Sequence, residues 1–239
     1  AKTGTLQVTG TPGGTAPASL DGIGLAPASL SMNPTTFTFP STVVAGTSVT
    51  QNFTVTNSGG VAAGTTTALA TAIMGTGMAE FDISSNTCTG TLAAGASCTV
   101  TIAFNPGSAG AKTASLNVTA TPGGLAAASL NGTGQTPAAL TLTAPPPNSV
   151  AFGAVPIGSS STMTYRVSNT GQQTSSAITL ALTGTDFTLL TGVSGDCASG
   201  TTTLTGGATC NARVRFAPTM NVARTGTLGV SATTGGAPP

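Results

Sequence analysis

One stretch of this chain occurs twice, and that duplication limits the fold more than any other feature. Cys88, a Gly-containing loop, Cys98 and then Val100, Ile102 and Phe104-x-Pro106 return as Cys197, a longer loop, Cys210 and then Ala212, Val214 and Phe216-x-Pro218. Asn57, Cys98 and Phe104 recur as Asn169, Cys210 and Phe216, each 112 residues further on. The opening residues 1–24 are likewise repeated at 111–134. Self-similarity at a fixed period is the mark of a tandem array. The repeat divides the chain into three parts. Residues 1–24 correspond to the last two strands of a preceding unit, or to a donor segment. Residues 25–134 form one complete unit, and 135–239 form a second. That second unit reaches Gly235-Gly236-Ala237-Pro238-Pro239 where its final strand is due.

Within each unit the periodicity is two. Cys98, Val100, Ile102 and Phe104 fall on one face of a strand, with Thr99, Thr101 and Ala103 on the other. The second copy places Cys210, Ala212, Val214 and Phe216 inside and Asn211, Arg213 and Arg215 outside. Val49, Gln51, Phe53 and Val55 alternate up to Asn57-Ser58-Gly59-Gly60, and Met163, Tyr165 and Val167 alternate up to Asn169-Thr170-Gly171. Turn residues separate these runs at short intervals. No stretch sustains a helical i, i+3, i+4, i+7 pattern, and 33 Gly with 15 Pro leave little room for one. Seven or eight short strands in roughly 110 residues predict an all-β chain of tandem immunoglobulin-like β-sandwiches, without significant helix.

Four cysteines allow three pairings. One pair per unit at a preserved position favours Cys88 with Cys98 and Cys197 with Cys210, each closing a short loop. Paired cysteines in a charge-poor β-repeat suit an oxidising compartment. A zinc site is disfavoured: there is no histidine, and four cysteine ligands would have to bridge two units.

Charge excludes further classes. Only 5% of residues are charged, and none lies between Asp21 and Glu80 or between Lys112 and Arg166. Six basic residues, scattered, cannot neutralise a phosphate backbone, so no nucleic-acid partner is expected. No apolar run is long enough for a membrane-spanning helix, and Ala1-Lys2-Thr3 opens directly into strand-like sequence rather than a signal peptide. Without histidine the commonest general base is missing. Glu80 and Asp82 are the one close carboxylate pair and read as surface residues, since a glycosidase pair must face across a cleft. No phosphate-binding loop motif occurs, and no cofactor, metal or catalytic residue is expected.

Together these motifs resemble the choice-of-anchor D repeat of large bacterial surface and secreted proteins, an immunoglobulin-like relative of Hydin-type domains. The matching residues in the second unit are Phe152-Gly-x-Val155-x-x-Gly158, Val167-x-Asn169-x-Gly171, Phe187, Cys197, Leu204-x-x-Gly207-x-x-Cys210 and Phe216-x-Pro218. In the first they are Val55-x-Asn57, Phe81, Cys88, Leu92-x-x-Gly95-x-x-Cys98, Phe104-x-Pro106 and Leu130-x-Gly132-x-Gly134. The first unit departs at Phe39-Pro-Ser, where the second has Phe-Gly. The resemblance implies a structural or adhesive module at the cell surface and carries over no catalytic residue.

The segment Ala18-Ser19-Leu20-Asp21-Gly22 repeats Ala128-Ser129-Leu130-Asn131-Gly132, the strand that the second unit lacks. Ala18, Leu20 and Gly22 are therefore candidate donor-strand residues for a neighbouring copy. Residues 1–10 complicate that picture, because they duplicate a strand the second unit already has at 223–232. The alternative is a window cut from a longer array. The expected partners are copies of the chain or adjacent repeats, joined head to tail as an extracellular filament, sheath or stalk. The competing expectation is an adhesin that recognises a glycan or host protein through loops at one end of a sandwich.

Overall fold

The computed structural model describes residues 1–46, 49–145 and 150–233. These residues are all-β apart from a single 3-10 turn at Met78–Glu80, and they fall into two compact units. The first comprises 1–40, 49–105 and 111–132, and the second 41–46, 106–110, 133–145 and 150–233. Each has its own hydrophobic cluster. The stretch after 233, where the second unit's final strand is due and expected to be lacking, lies outside the described residues.

The chain opens with an antiparallel hairpin, β1 (Lys2–Gly10) and β2 (Gly14–Gly22), turning at Thr11-Pro12-Gly13. The sandwich of the first unit follows. One of its sheets runs β3 (Leu30–Asn33), β6 (Val49–Asn57), β9 (Ser97–Phe104), β8 (Phe81–Asn86). The facing sheet runs β4 (Thr36–Thr38), β11 (Gly124–Gln135), β10 (Gly110–Thr121), β7 (Thr67–Met74), and β5 (Thr42–Val43) pairs with Gly134 and Gln135 of β11. The register of β6 on β9 sets Phe53 opposite Val100 and Val55 opposite Cys98, so all four side chains enter the core. Leu116 and Val118 of β10 and Ala128 and Leu130 of β11 meet them from the other sheet, each 2% exposed or less. Interdigitated inner faces of this kind define an immunoglobulin-like sandwich.

The second unit repeats the first sheet as β12 (Leu140–Thr143), β13 (Ser161–Asn169), β16 (Thr209–Phe216), β15 (Phe187–Leu190). Its other sheet holds only β14 (Thr179–Leu182) and β17 (Leu228–Ser231) among the described residues. The alternation of β16 is as expected: Cys210, Ala212, Val214 and Phe216 are buried and Arg215 is exposed. The shorter opposing sheet shows in β13, where Tyr165 is half-buried at the position of the fully buried Phe53.

Where β6 and β13 end, the sequence signals no more than a strand stop, but the structure puts a polar hub there. Asn57 is fully buried; its Oδ1 accepts from the N–H groups of Ser29 and Gly59, and its Nδ2 donates to the carbonyls of Val61, Leu92 and Ala93. Asn169 repeats this with Ala139, Gly171, Gln173 and Leu204. One carboxamide thus ties a strand end to two loops, satisfying backbone groups that burial would otherwise strand. Two residues on, a Cβ at Gly59 or Gly171 would overlap the carbonyl oxygen of Pro27 or Pro137, so neither position admits a side chain. Asn57→Ala leaves the N–H groups of Ser29 and Gly59 and the Val61 carbonyl without this partner. It is expected to cost about 3 kcal/mol in urea unfolding, whereas Asn52→Ala, on the exposed face of the same strand, is expected to change little.

Candidate functional site

Two disulfides form, Cys88–Cys98 with Cα atoms 5.1 Å apart and Cys197–Cys210 with Cα atoms 5.2 Å apart. Each links a loop to the first turn-ward residues of the strand that carries the repeat's Phe-x-Pro. All four cysteines are buried within the two cores, which marks the bridges as structural rather than exchange-active. Glu80 and Asp82 take separate partners: Glu80 pairs with Lys112 at 3.1 Å, and Asp82 accepts from Asn105 Nδ2 at 2.8 Å. Among the described residues no group of three potential metal ligands occurs, and no helix is long and apolar enough to cross a membrane.

What the fold leaves uncovered is apolar. In the β1–β2 hairpin Leu6 stands opposite Ala18, Val8 opposite Ala16 and Gly4 opposite Leu20. Cross-strand partners share a face, so these residues make one apolar face while Thr3, Thr5, Gln7, Thr9, Ser19 and Asp21 make the other. Every residue of both strands is exposed, and Leu6, Val8 and Leu20 are 54%, 63% and 54% exposed. Their counterparts Leu116, Val118 and Leu130 are 0% exposed. The same sequence is thus core in one place and bare in the other. A lone two-stranded hairpin is at best marginally stable in water, and this one gains nothing from its apolar face as it stands.

The second unit carries an open groove of about 1000 Å³. Its floor is an aromatic trio, Phe152, Phe187 and Phe216, with ring centroids 4.8–5.6 Å apart. The first unit has the same trio, Phe39, Phe81 and Phe104, at 5.0–5.7 Å. There it is sealed, with each ring at most 3% exposed; in the second unit Phe152 and Phe187 remain partly exposed. The seal is β11. Gly132 crosses the Phe104 ring so closely that a Cβ there would sit 2.5 Å from Cζ and 2.7 Å from Cε2. Only a residue without a side chain passes at that height.

The groove's rim is fixed electrostatically. Asp186, just before Phe187, accepts from Arg224 Nε at 2.8 Å and from Thr219 Oγ1 at 3.0 Å, pinning the loop that contributes Met220 and Val222 to the wall. On β16, Arg213 is no solvated side chain: its Nε and Nη2 donate to the two carboxylate oxygens of Asp196 at 2.9 and 2.7 Å. A bidentate pair of this kind is strong for its size. Spacing along the strand concealed it, because Asp196 comes from the loop beside Cys197.

Comparison with known proteins bears on the fold. Residues 28–132 match the family described as HYDIN/CFA65/VesB-like, Ig-like domain, in keeping with the Ig-like sandwich of that stretch. No curated protein matches the chain. Among solved structures, the secreted serine protease VesC from Vibrio cholerae is similar at 18% identity, over 85% of this chain and 50% of that one, with a TM-score of 0.36. The ASH/PapD-like domain 7 of human CEP192 is similar at 17% identity, over 45% of this chain and 84% of that one, with a TM-score of 0.33. The extracellular cadherin domains 1–4 of protocadherin gamma B7 are similar at 12% identity, over 97% of this chain and 56% of that one, with a TM-score of 0.50. The chain thus spans about half the length of VesC and of the protocadherin segment, and such identities speak to fold alone.

The pH dependence follows from the two carboxylates. The hydrogen bond from Arg224 holds Asp186 below the usual aspartate range, and the hydrogen bond from Arg213 does the same for Asp196. A carboxyl depressed in the folded state stabilises it above its unfolded value, about 3.9, and that contribution fades as pH falls through the folded value. The melting temperature is therefore expected to hold between pH 7 and 5 and to drop below about pH 4. In Asp186→Asn with Asp196→Asn the melting temperature should be lower at neutral pH and the acid drop shallower, as followed by circular dichroism.

Proposed function

We propose that the chain is a non-catalytic structural repeat protein of the choice-of-anchor D type, building an extracellular filament, sheath or stalk on a bacterial surface from copies or repeats joined head to tail. The observation that carries this reading is the hairpin. Residues that form core in the first unit recur at 1–24 as a hairpin of the same pattern, so the same sandwich sequence is laid down repeatedly along the chain. The remaining features agree. Two buried disulfides suit an oxidising compartment. A chain with 5% charged residues offers little repulsion between copies and few of the charges that usually guard sheet edges. The adhesin reading is less well supported: the chain has no Trp, and its one Tyr, Tyr165, lies on a strand within the groove and not on an exposed loop.

Electron microscopy of the purified chain at neutral pH and moderate salt tests this. Regular filaments or strings of paired particles are the expected result. Isolated two-lobed particles at every concentration would overturn the array and turn attention to a soluble partner.

A further inference from the structure

We infer that the outer face of the β12-β13-β16-β15 sheet binds a linear polysaccharide bearing carboxylates, with Arg166 and Arg215 as its two charged contacts. The contact requires no array and forms on a single copy of the chain.

Three observations carry it. First, the cations are gathered. The chain has six basic residues, and three of them, Arg166, Arg213 and Arg215, lie on this one face. The 112-residue repeat puts Thr54, Thr101 and Ala103 at the same places in the first unit, so the equivalent face there carries no arginine. Second, two of the three are uncommitted. Arg213 is clamped by Asp196, whereas Arg166 and Arg215 are exposed and make no ion pair among the described residues. The acids of the second unit are Asp186 and Asp196, and both are already paired. Third, hydroxyl and amide groups flank each free guanidinium. Arg166 lies between Thr143 and Asn211 on the neighbouring strands, and Arg215 between Thr162 and Thr188; cross-strand partners share a face.

The layout of the face selects the ligand. Arg166 stands opposite Asn211, four residues from Arg215, which sets the two charges about 14 Å apart along the strands. A ligand that uses both must therefore carry acids at intervals along its length. β13 and β16 each have strand neighbours on both sides, so neither offers a backbone edge to an extended peptide. Among the described residues of the four strands no large hydrophobic side chain is exposed, so the face lacks the apolar anchors that a lipid surface takes. A second copy is poorly suited as well. Glu80, Asp186 and Asp196 are held in ion pairs, which leaves only Asp21 and Asp82 to offer. What fits is a flat acidic sugar polymer. Its carboxylates match the forked guanidinium groups, and its hydroxyls meet the threonines and asparagine between them. Recognition then runs through charge rather than through aromatic stacking.

Retention on immobilised alginate at low salt tests this, with neutral dextran, polyglutamate and single-stranded DNA as the other matrices. The parent chain should be held by alginate more strongly than by any of the three and should elute as salt is raised. Arg166→Gln with Arg215→Gln should leave the melting curve unchanged, both side chains being exposed. The same pair of changes should weaken retention by about tenfold or more. Adding Gln7→Lys and Ser129→Lys to that variant returns the net charge at exposed positions on other strands, and it should not return the binding. Full retention of the double variant, or recovery with the distant lysines, would overturn the inference. So would equal or stronger retention on dextran, polyglutamate or DNA. A parent chain that passes through alginate unretained refutes it outright, whatever electron microscopy shows of the array.

Discussion

A carboxamide buried where a strand ends holds each sandwich together. Asn57 and Asn169 make no chemistry, yet each gathers the start of the unit, the end of a long strand and the loop before the second cysteine onto one side chain. The glycines two residues later let the entering chain pass over them without a side chain in the way. The disulfide and the Phe-x-Pro of each unit lie downstream of that crossing. Each core can close only because the polar groups it would otherwise abandon are bonded there.

Much of this architecture was legible because it is periodic or duplicated. The inward faces of β9 and β16 could be read from alternation, and the cysteine pairs from one occurrence per unit. What could not be read depends on residues far apart. The hub role of Asn57 requires loops at 29, 61 and 92 to converge on one point, and Asn followed by Gly otherwise signals only a turn. Arg213 looks outward on a strand whose pattern is sound, and only the fold brings Asp196 to it. The short parallel strands β4 and β5 have too few residues to show a period and owe their extended form to β11. The candidate donor residues Ala18, Leu20 and Gly22 were found by repetition alone; the groove was not, since Phe152, Phe187 and Phe216 are spread over more than sixty residues.

Charge is concentrated where geometry needs it. Glu80 with Lys112 in one unit and Asp186 with Arg224 in the other occupy the same position, just before the first aromatic of β8 or β15. Elsewhere the surface is carried by Thr and Ser, whose hydroxyls bond locally across strands, as Thr56 does to Ser97 and Thr183 to Thr227. Such a surface meets water through short polar contacts rather than through a field, and ionic strength has little to screen.

The disulfides have a mechanical meaning as well as a thermodynamic one. They span only 10 and 13 residues, so each bridges a single loop and leaves the rest of its sandwich free of covalent ties. Under tension along the chain, the stretch between Cys88 and Cys98, about 35 Å when drawn out, would stay folded back on itself while the remaining strands unravel. Each unit would then yield length under load everywhere except at its bridged loop, whose residues stay out of the extended chain.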